Sequence, residues 1–150
     1  MHRASIFLAV VAALGCGSAP GATTPPPTAG PAGTQPAAIE GTTWRLVEVG
    51  GRAVVADATN VPPTILLNSE TRSVSGSTGC NRLSGPYTLD GRKLTFGPLI
   101  STMMACLKGM DVEAALNCVF SKVDGYQLSG ETLTLMGGGT PLAKFHAQAS

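Results

Sequence analysis

Two stretches of the sequence share one pattern, and that pattern restricts the fold more than any other feature. Residues 87–96 (YTLDGRKLTF) and 126–135 (YQLSGETLTL) align at a spacing of 39 positions. In both, an apolar residue recurs at every second position on each side of a two-residue turn that contains glycine. This alternation is typical of a strand with one buried face, and the turn joins two such strands into a hairpin. Two hairpins of one design predict a curved antiparallel sheet, although two copies are too few for a repeat protein.

Further strands are expected on both sides of these hairpins. Gly50-Gly51 predicts a tight turn between the first two runs, and three glycines at 137–139 precede the last one. The remaining β-type runs are 41–49, 53–55, 64–67, 72–75 and 142–146.

One segment, residues 110–123, has helical periodicity. Asp111 and Glu113 lie in its first turn, where the helix dipole favours negative charge, and Asp124-Gly125 is expected to end it. The apolar stripe consists of Val112, Leu116, Val119 and Val123. The predicted fold class is therefore β-rich α+β, a curved antiparallel sheet or open barrel with a single helix packed on it.

The beginning of the chain has the features of an export signal. A short basic start is followed by a run of 11 apolar or small residues at 4–14, which is too short for a membrane-spanning helix of about 20 residues. The run leads into Cys16 through small residues and resembles the lipobox of bacterial lipoproteins, in which the cysteine thiol carries a diacylglyceryl group. We therefore predict a signal peptide at 1–15 and lipidation of Cys16. The alternative is an ordinary secreted protein that is cut near Ala19.

The segment that follows is unsuited to a folded core. Residues 17–38 include no charged residue, no aromatic residue and no aliphatic residue larger than alanine, and they contain six prolines. Such a segment cannot bury enough apolar surface to offset its ordering entropy. We predict that residues 16–39 form a disordered tether and that one folded domain covers 40–147.

The charges of this domain exclude one class of partner. From Glu40 onward the chain has nine Lys or Arg residues and nine Asp or Glu residues, without a run of like charge. A surface that follows nucleic-acid phosphates needs concentrated basic residues, so we expect no binding of nucleic acid.

Three sequence motifs resemble the META domain, also called the HslJ-like family, over about residues 40–146. The family-motif residues are Trp44, then Gly79, Cys80, Asn81 and Arg82 ahead of Gly85 and Tyr87, and then Ser101, Thr102, Met103, Met104, Ala105 and Cys106 ahead of Glu113. The resemblance implies a single β-rich domain with one helix. Relatives are often envelope lipoproteins or exported proteins, and some are tied to heat-shock, drug-tolerance or virulence phenotypes. The family brings no settled enzymatic activity. This chain departs from many relatives at Leu107, where they have a proline.

The cysteines are expected to be structural. With Cys16 lipidated, Cys80 and Cys106 are the expected disulfide in an oxidising compartment, because both lie in loop-like motif segments. Closing that loop contributes about 2–4 kcal/mol of stability. Cys118 is interpreted as a half-buried thiol on the flank of the helix. A zinc site that combines these three cysteines with His146 has suitable ligand types but lacks close ligand spacing.

No catalytic residue is predicted. His146 is interpreted as a surface or edge residue without a partner to orient it, and the glycine-rich segment 76–79 lacks the spacing of a nucleophile elbow. Met103 and Met104 could line an adaptable apolar groove, but packing of at least one of them in the core is favoured. No metal or cofactor is expected.

These features favour a non-catalytic envelope lipoprotein that acts in stress tolerance. We expect a monomer, anchored by its lipid in the outer membrane and facing the periplasm, since Gly17 replaces the Asp that often retains lipoproteins at the inner membrane. Its partner would be a protein or a small apolar ligand. The alternative is a protein inhibitor of an extracellular hydrolase, a lysozyme or a protease, which would use a protruding loop at 81–86 or 137–141.

Overall fold

The computed structural model describes residues 37–148, which contain ten strands and one α-helix. The helix, α1, is Met110–Phe120, and a short 3₁₀ helix covers Ala56–Ala58. The strands are β1 (Thr43–Val49), β2 (Arg52–Ala53), β3 (Thr64–Asn68), β4 (Ser73–Ser77), β5 (Arg82–Asp90), β6 (Lys93–Phe96), β7 (Ile100–Ser101), β8 (Gly125–Ser129), β9 (Thr132–Gly137) and β10 (Thr140–Ala147). The predicted signal peptide, Cys16 and the tether up to residue 36 lie outside the described residues.

The strands form one antiparallel sheet that curls toward closure. Its order is β6-β5-β4-β3-β1-β10-β9-β8, while β2 pairs with β1 and β7 pairs with β5. The outermost strands of this order, β6 and β8, approach each other. The backbone N–H of Tyr126 in β8 donates to the carbonyl of Arg92 in the β5–β6 turn at 3.1 Å. The result is a nearly closed barrel with a single helix, which confirms the predicted fold class.

Both hairpins expected from the alternating pattern are present. β5 pairs with β6 and β8 pairs with β9, each around a two-residue loop that begins with glycine. Gly91 and Gly130 both have a φ of 57°, a left-handed conformation that glycine adopts without steric cost. Gly138 and Gly139 form a third turn of this size between β9 and β10.

The core fills the inside of the barrel and continues under the helix. Its largest fully buried apolar side chains are Trp44, Leu46, Ile65, Leu67, Val74, Leu94, Leu116, Leu133, Leu135 and Phe145. The indole Nε1 of Trp44 donates to the carbonyl of Ile39 at 2.9 Å. Ile39 is itself buried, one residue before the expected start of the domain at Glu40.

The helix ends three residues before the expected position. Its last residue is Phe120, and the backbone N–H of Lys122 bonds to the carbonyl of Val119, a tightened turn that closes the helix. Phe120 belongs to the buried face and packs edge-on against Phe96, with 5.1 Å between ring centroids. Val123 is also buried, but it lies in the connection to β8. The apolar stripe therefore extends beyond the last residue of the helix. Because the prediction placed the helix end at the end of the stripe, it made the helix three residues too long.

Two other expected boundaries also shift. The strand expected at 72–75 begins at Ser73, because Arg72 has a φ of 50° and turns the chain into it. The strand expected at 53–55 pairs only as Arg52–Ala53. No helix within residues 37–148 combines the length and the apolar character needed to cross a membrane.

Candidate functional site

The side-chain amide of Asn81 is the centre of the most connected polar cluster. Asn81 is 2% exposed. Its Oδ1 accepts hydrogen bonds from the backbone N–H of Met104 at 2.7 Å and from the hydroxyl of Thr102 at 2.8 Å. Its Nδ2 donates to the two carboxylate oxygens of Glu113 at 2.9 and 3.1 Å and to the carbonyl of Met104 at 3.2 Å. One amide therefore connects the end of the β4–β5 turn, the segment before the helix and the first turn of the helix.

Thr78 completes this cluster. It is fully buried, and its hydroxyl donates to Oε2 of Glu113 at 2.9 Å and accepts the backbone N–H of Asn81 at 3.2 Å. Among residues 37–148, no buried side-chain nitrogen or oxygen lacks a hydrogen-bond partner. A fully satisfied buried network favours one local arrangement, because each partner that is lost leaves another group unpaired.

Two glycines let the backbone segments of the cluster approach closely. Gly79 and Gly109 have φ values of 104° and 93°, in the left-handed region. A Cβ atom on Gly109 would lie 3.0 Å from the carbonyl oxygen of Gly79, and one on Gly79 would lie 2.7 Å from the side chain of Thr59. A larger residue at position 109 would therefore push the start of the helix away from the turn, and one at position 79 would push the turn away from Thr59.

A disulfide connects the same two segments covalently. It joins Cys80 to Cys106 across a sequence separation of 26 residues. Both sulfurs are therefore unavailable as thiolate ligands, which argues against the zinc site considered with Cys118 and His146. Within residues 37–148, no three His, Cys, Asp or Glu side chains are arranged to hold a metal ion. Cys118 is an exposed free cysteine, and its interpretation as half-buried was wrong, because it lies on the solvent side of the helix.

We call residues 97–109, which run from β6 to the helix, the motif loop. Most of its large apolar side chains point into solvent, whereas Leu99 packs against the core. Ile100 is 73% exposed, Met103 98%, Met104 53% and Leu107 102%, and Met110 at the start of the helix is also exposed. The expectation that Met103 or Met104 packs in the core was wrong. Asn81 bonds to the main chain of Met104, so the backbone provides the contact and the side chains stay outside.

A groove lies beside the motif loop. Its volume is about 610 Å³, and it is open to solvent. Its walls include Ser75, Ser77, Arg82, Ser84, Ile100 and Thr102. Ile100 therefore belongs both to the groove and to the exposed loop.

Tyr87 lies in a second, separate polar corner. Its hydroxyl donates to Glu40, and the guanidinium of Arg72 lies 3.2 Å from the same carboxylate. Burial, the hydrogen bond to Glu40 and the negative charge of Glu40 together raise the pKa of Tyr87 to about 12, although Arg72 opposes the shift. This corner fixes the start of the domain to β5.

The motif residues thus divide into separate groups. Those that converge around Asn81 are Gly79, Cys80, Thr102, Met104, Cys106 and Glu113. Trp44 is in the core, Tyr87 is in the second corner, and the side chain of Ala105 is exposed. His146 is exposed on β10. Thr78 was missed by sequence reasoning, which treated residues 76–79 only as a glycine-rich turn.

The two segments expected to protrude do not form projecting loops. Asn81 is buried and β5 begins at Arg82, so residues 81–86 are largely a paired strand. Residues 137–141 contain a two-residue turn and the strand ends beside it. The motif loop carries the exposed apolar side chains instead.

Comparison with known proteins identifies one family and three similar structures. The model of the META domain family matches residues 37–149. An NMR structure of a protein from Burkholderia xenovorans is 28% identical with a TM-score of 0.61, over 83% of this chain and 97% of that chain. A second NMR structure is 25% identical with a TM-score of 0.56, over 70% of this chain and 87% of that one. A crystal structure of a DUF4847 family protein from Bacteroides vulgatus is similar in fold alone, at 15% identity and a TM-score of 0.52 over 72% and 93% of the two chains. No curated protein matches the sequence.

Proposed function

The chain belongs to the META domain family, and we propose that it serves as a non-catalytic binding module that a lipid on Cys16 holds at the cell envelope. The observation that carries the proposal is the motif loop, whose apolar side chains are exposed while its backbone is fixed. Contiguous exposed apolar patches mark interaction sites, whereas scattered apolar residues do not, and this loop exposes four large apolar side chains between residues 100 and 107. The export signal and the proline-rich segment expected from the sequence support the location.

The fixed backbone makes the motif loop suitable for binding. Two main-chain atoms of Met104 bond to Asn81, and the disulfide at Cys106 holds the loop a few residues further on. A loop that is already ordered loses little conformational entropy when a partner binds. Exposed methionines add an adaptable apolar contact, because their unbranched side chains conform to varied surfaces.

The proposed partner is another envelope protein with an apolar recess. Met103 and Leu107 project almost fully into solvent, a convex shape that fits a concave partner. Arg82 and Lys108 are exposed near these side chains, and neither makes an ion pair within the described part of the chain. Acidic groups around the recess would complement them, which increases the association rate more than the affinity.

Site-specific photo-crosslinking tests the contact surface. A photo-crosslinking amino acid is placed at position 103 or 107 of the full chain in cells, and at position 131 in the β8–β9 turn as the matched exposed control. We expect one discrete protein adduct from positions 103 and 107 and none from 131. Added wild-type protein should suppress the adduct, and the Met103→Ser/Leu107→Ser protein should not. Equal adducts at all three positions would contradict the proposal.

Mass spectrometry of the native protein tests the anchor. We expect the mature N-terminus to be Cys16 carrying a diacylglyceryl group, and the Cys16→Ser protein to lose its membrane association. An intact N-terminus on wild-type protein that stays in the soluble fraction would contradict the proposed location.

A second candidate function, inhibition of an extracellular hydrolase, is favoured by one observation. The exposed motif loop is held in place by a disulfide and by a buried amide. Such a loop is what a protein inhibitor inserts into the cleft of an enzyme, and its position differs from the two segments expected from the sequence.

A further inference from the structure

The geometry points to residues 102–104 as a substrate-like inhibitory segment for serine endopeptidases that have an apolar primary pocket, with Met103 as the side chain that enters the pocket. This inference rests on the proposed function, because it names the class of partner that the motif loop binds. It uses the contacts on both sides of the Met103–Met104 peptide bond.

One amide fixes the chain on both sides of that bond. Oδ1 of Asn81 accepts the hydroxyl of Thr102 at 2.8 Å and the backbone N–H of Met104 at 2.7 Å, so the residues before and after Met103 share one acceptor. Nδ2 of Asn81 also donates to the carbonyl of Met104 at 3.2 Å. Asn81 is in turn fixed by Glu113. The anchor lies inside the protein, and the held segment lies on its surface.

Met103 is the one residue of this segment whose side chain is almost entirely free. It is 98% exposed, against 53% for Met104. The side chain at the cleavage position of a protease substrate must project from the surface of the substrate protein so that it can enter the primary pocket of the protease. An unbranched apolar side chain suits the hydrophobic slot of a chymotrypsin-type pocket, whereas a trypsin-type pocket, with its buried aspartate, requires a cation.

The backbone leading to Met103 has the form that a protease cleft recognises. β7 pairs with β5, and this pairing continues to Thr102, whose N–H donates to the carbonyl of Arg82 at 3.0 Å. Among residues 98–108, none has a positive φ. Endopeptidases bind their substrates as extended strands, and residues 100–102, which already pair along β5, need little rearrangement to dock.

The new amine of Met104, which is the leaving group, stays in place after cleavage. This explains why such a segment would inhibit the protease and would not be released as a cleaved product. The catalytic serine hydroxyl adds to the carbonyl carbon of Met103 and gives its proton to the histidine base. Collapse of the adduct breaks the bond to the nitrogen of Met104, which takes up that proton, and leaves an ester between enzyme and Met103. Asn81 and the Cys80–Cys106 disulfide hold the new amine beside the ester. The amine then attacks the ester, re-forms the peptide bond and returns the serine hydroxyl faster than water replaces it.

Inhibition assays with defined enzymes test the inference. The purified full chain in detergent is titrated against chymotrypsin, subtilisin and trypsin, with lysozyme as a hydrolase of a different class. We expect competitive inhibition of chymotrypsin and subtilisin only. Met103→Lys should weaken inhibition of chymotrypsin by about 100-fold or more and create inhibition of trypsin, because it changes the residue that enters the pocket. Glu131→Lys is the matched control, because position 131 is exposed in the β8–β9 turn and lies outside the motif loop. It should change the inhibition of chymotrypsin by no more than about threefold and create no inhibition of trypsin.

Three outcomes would overturn the inference. They are inhibition of none of the three proteases, an unchanged selectivity in Met103→Lys protein, and rapid complete cleavage after Met103 with loss of inhibition. Inhibition of lysozyme alone is a case of the first outcome. Photo-crosslinking at position 103 is independent of these assays, so an adduct there without protease inhibition would leave the proposed function standing and remove only this inference.

Discussion

The motif loop and the β9–β10 hairpin hold their chains in opposite ways. In the hairpin, apolar side chains such as Leu133, Leu135 and Phe145 are buried, and the polar residues between them face outward. In the motif loop, most of the large apolar side chains face outward, and the chain is fixed by a buried amide and a disulfide. Main-chain hydrogen bonds and a covalent link thus replace apolar burial, which leaves the apolar side chains free for contact. Three measurements test this contrast and a fourth tests the corner around Tyr87, in order of decreasing effect.

The largest effect is expected among the buried side chains of the hairpin. Phe145 is fully buried, so Phe145→Ala should lower the free energy of unfolding by about 3–5 kcal/mol through lost burial and a new cavity. Urea unfolding measures it. A loss below about 1 kcal/mol would show that this region does not depend on apolar packing.

Removal of the disulfide should have the next largest effect. Cys80→Ser/Cys106→Ser protein should lose about 2–4 kcal/mol, mainly because its unfolded chain gains freedom. Cys118→Ser is the matched control and should stay within about 0.5 kcal/mol, because that thiol is exposed. Amide exchange at residues 102–106 should accelerate in the double variant and remain slow in β9. Equal acceleration in both regions would contradict the contrast.

The corner around Tyr87 gives a pH dependence. The folded pKa of about 12 lies above the ordinary value of 10, so the unfolded state loses the phenolic proton first as pH rises. The contribution is fully present below about pH 10 and is lost between about pH 10 and 12. In Tyr87→Phe protein, the unfolding free energy should be about 1 kcal/mol lower at pH 7 and should fall less steeply above pH 10. Parallel stability curves for the two proteins would contradict this assignment.

The smallest effect on stability is expected in the motif loop. Met103→Ser/Leu107→Ser should change the unfolding free energy by less than about 0.5 kcal/mol, because both side chains are already in solvent. The same variant, added as a competitor, should fail to suppress the adduct that forms from position 103 or 107. Substantial destabilisation would mean that these side chains support the fold and are not free for a partner.

The sheet was more predictable than the motif loop, for a physical reason. Alternation at 87–96 and 126–135 reports which face of a strand is buried, and glycine marks the turn, so both hairpins followed from the sequence. The rule that apolar residues are buried failed for Met103 and Met104, because their segment is held by its backbone. No local pattern indicates that an asparagine more than 20 positions away will bind that backbone.

The motif residues were identified by resemblance, and their arrangement came from the fold. The sequence placed these residues in three separate segments, with Cys80 and Asn81 in the first, Cys106 in the second and Glu113 in the third. Only the packing of the helix against the barrel brings the three segments together. Thr78 carries no signal of its own, since a threonine beside glycines is typical of a turn. Cys118 lies close to the boundary between the buried and the exposed face of the helix. A small rotation of the helix about its axis therefore decides whether its thiol is half-buried or exposed, and in the structure it is exposed.

The way the domain begins affects how it would carry a mechanical load. Gly41 donates its N–H to the carbonyl of Leu67 at 2.9 Å, and Glu40 forms a parallel bridge to Leu67 and bonds to Tyr87. The indole N–H of Trp44 donates a hydrogen bond to the carbonyl of Ile39 from inside the barrel. A pull applied at residue 37 would therefore meet several bonds loaded together in shear before β1 could peel from its neighbours. When the domain is pulled through its first residues, the contacts of residues 39–41 would therefore bear the force first, and the strands of the barrel would stay paired behind them.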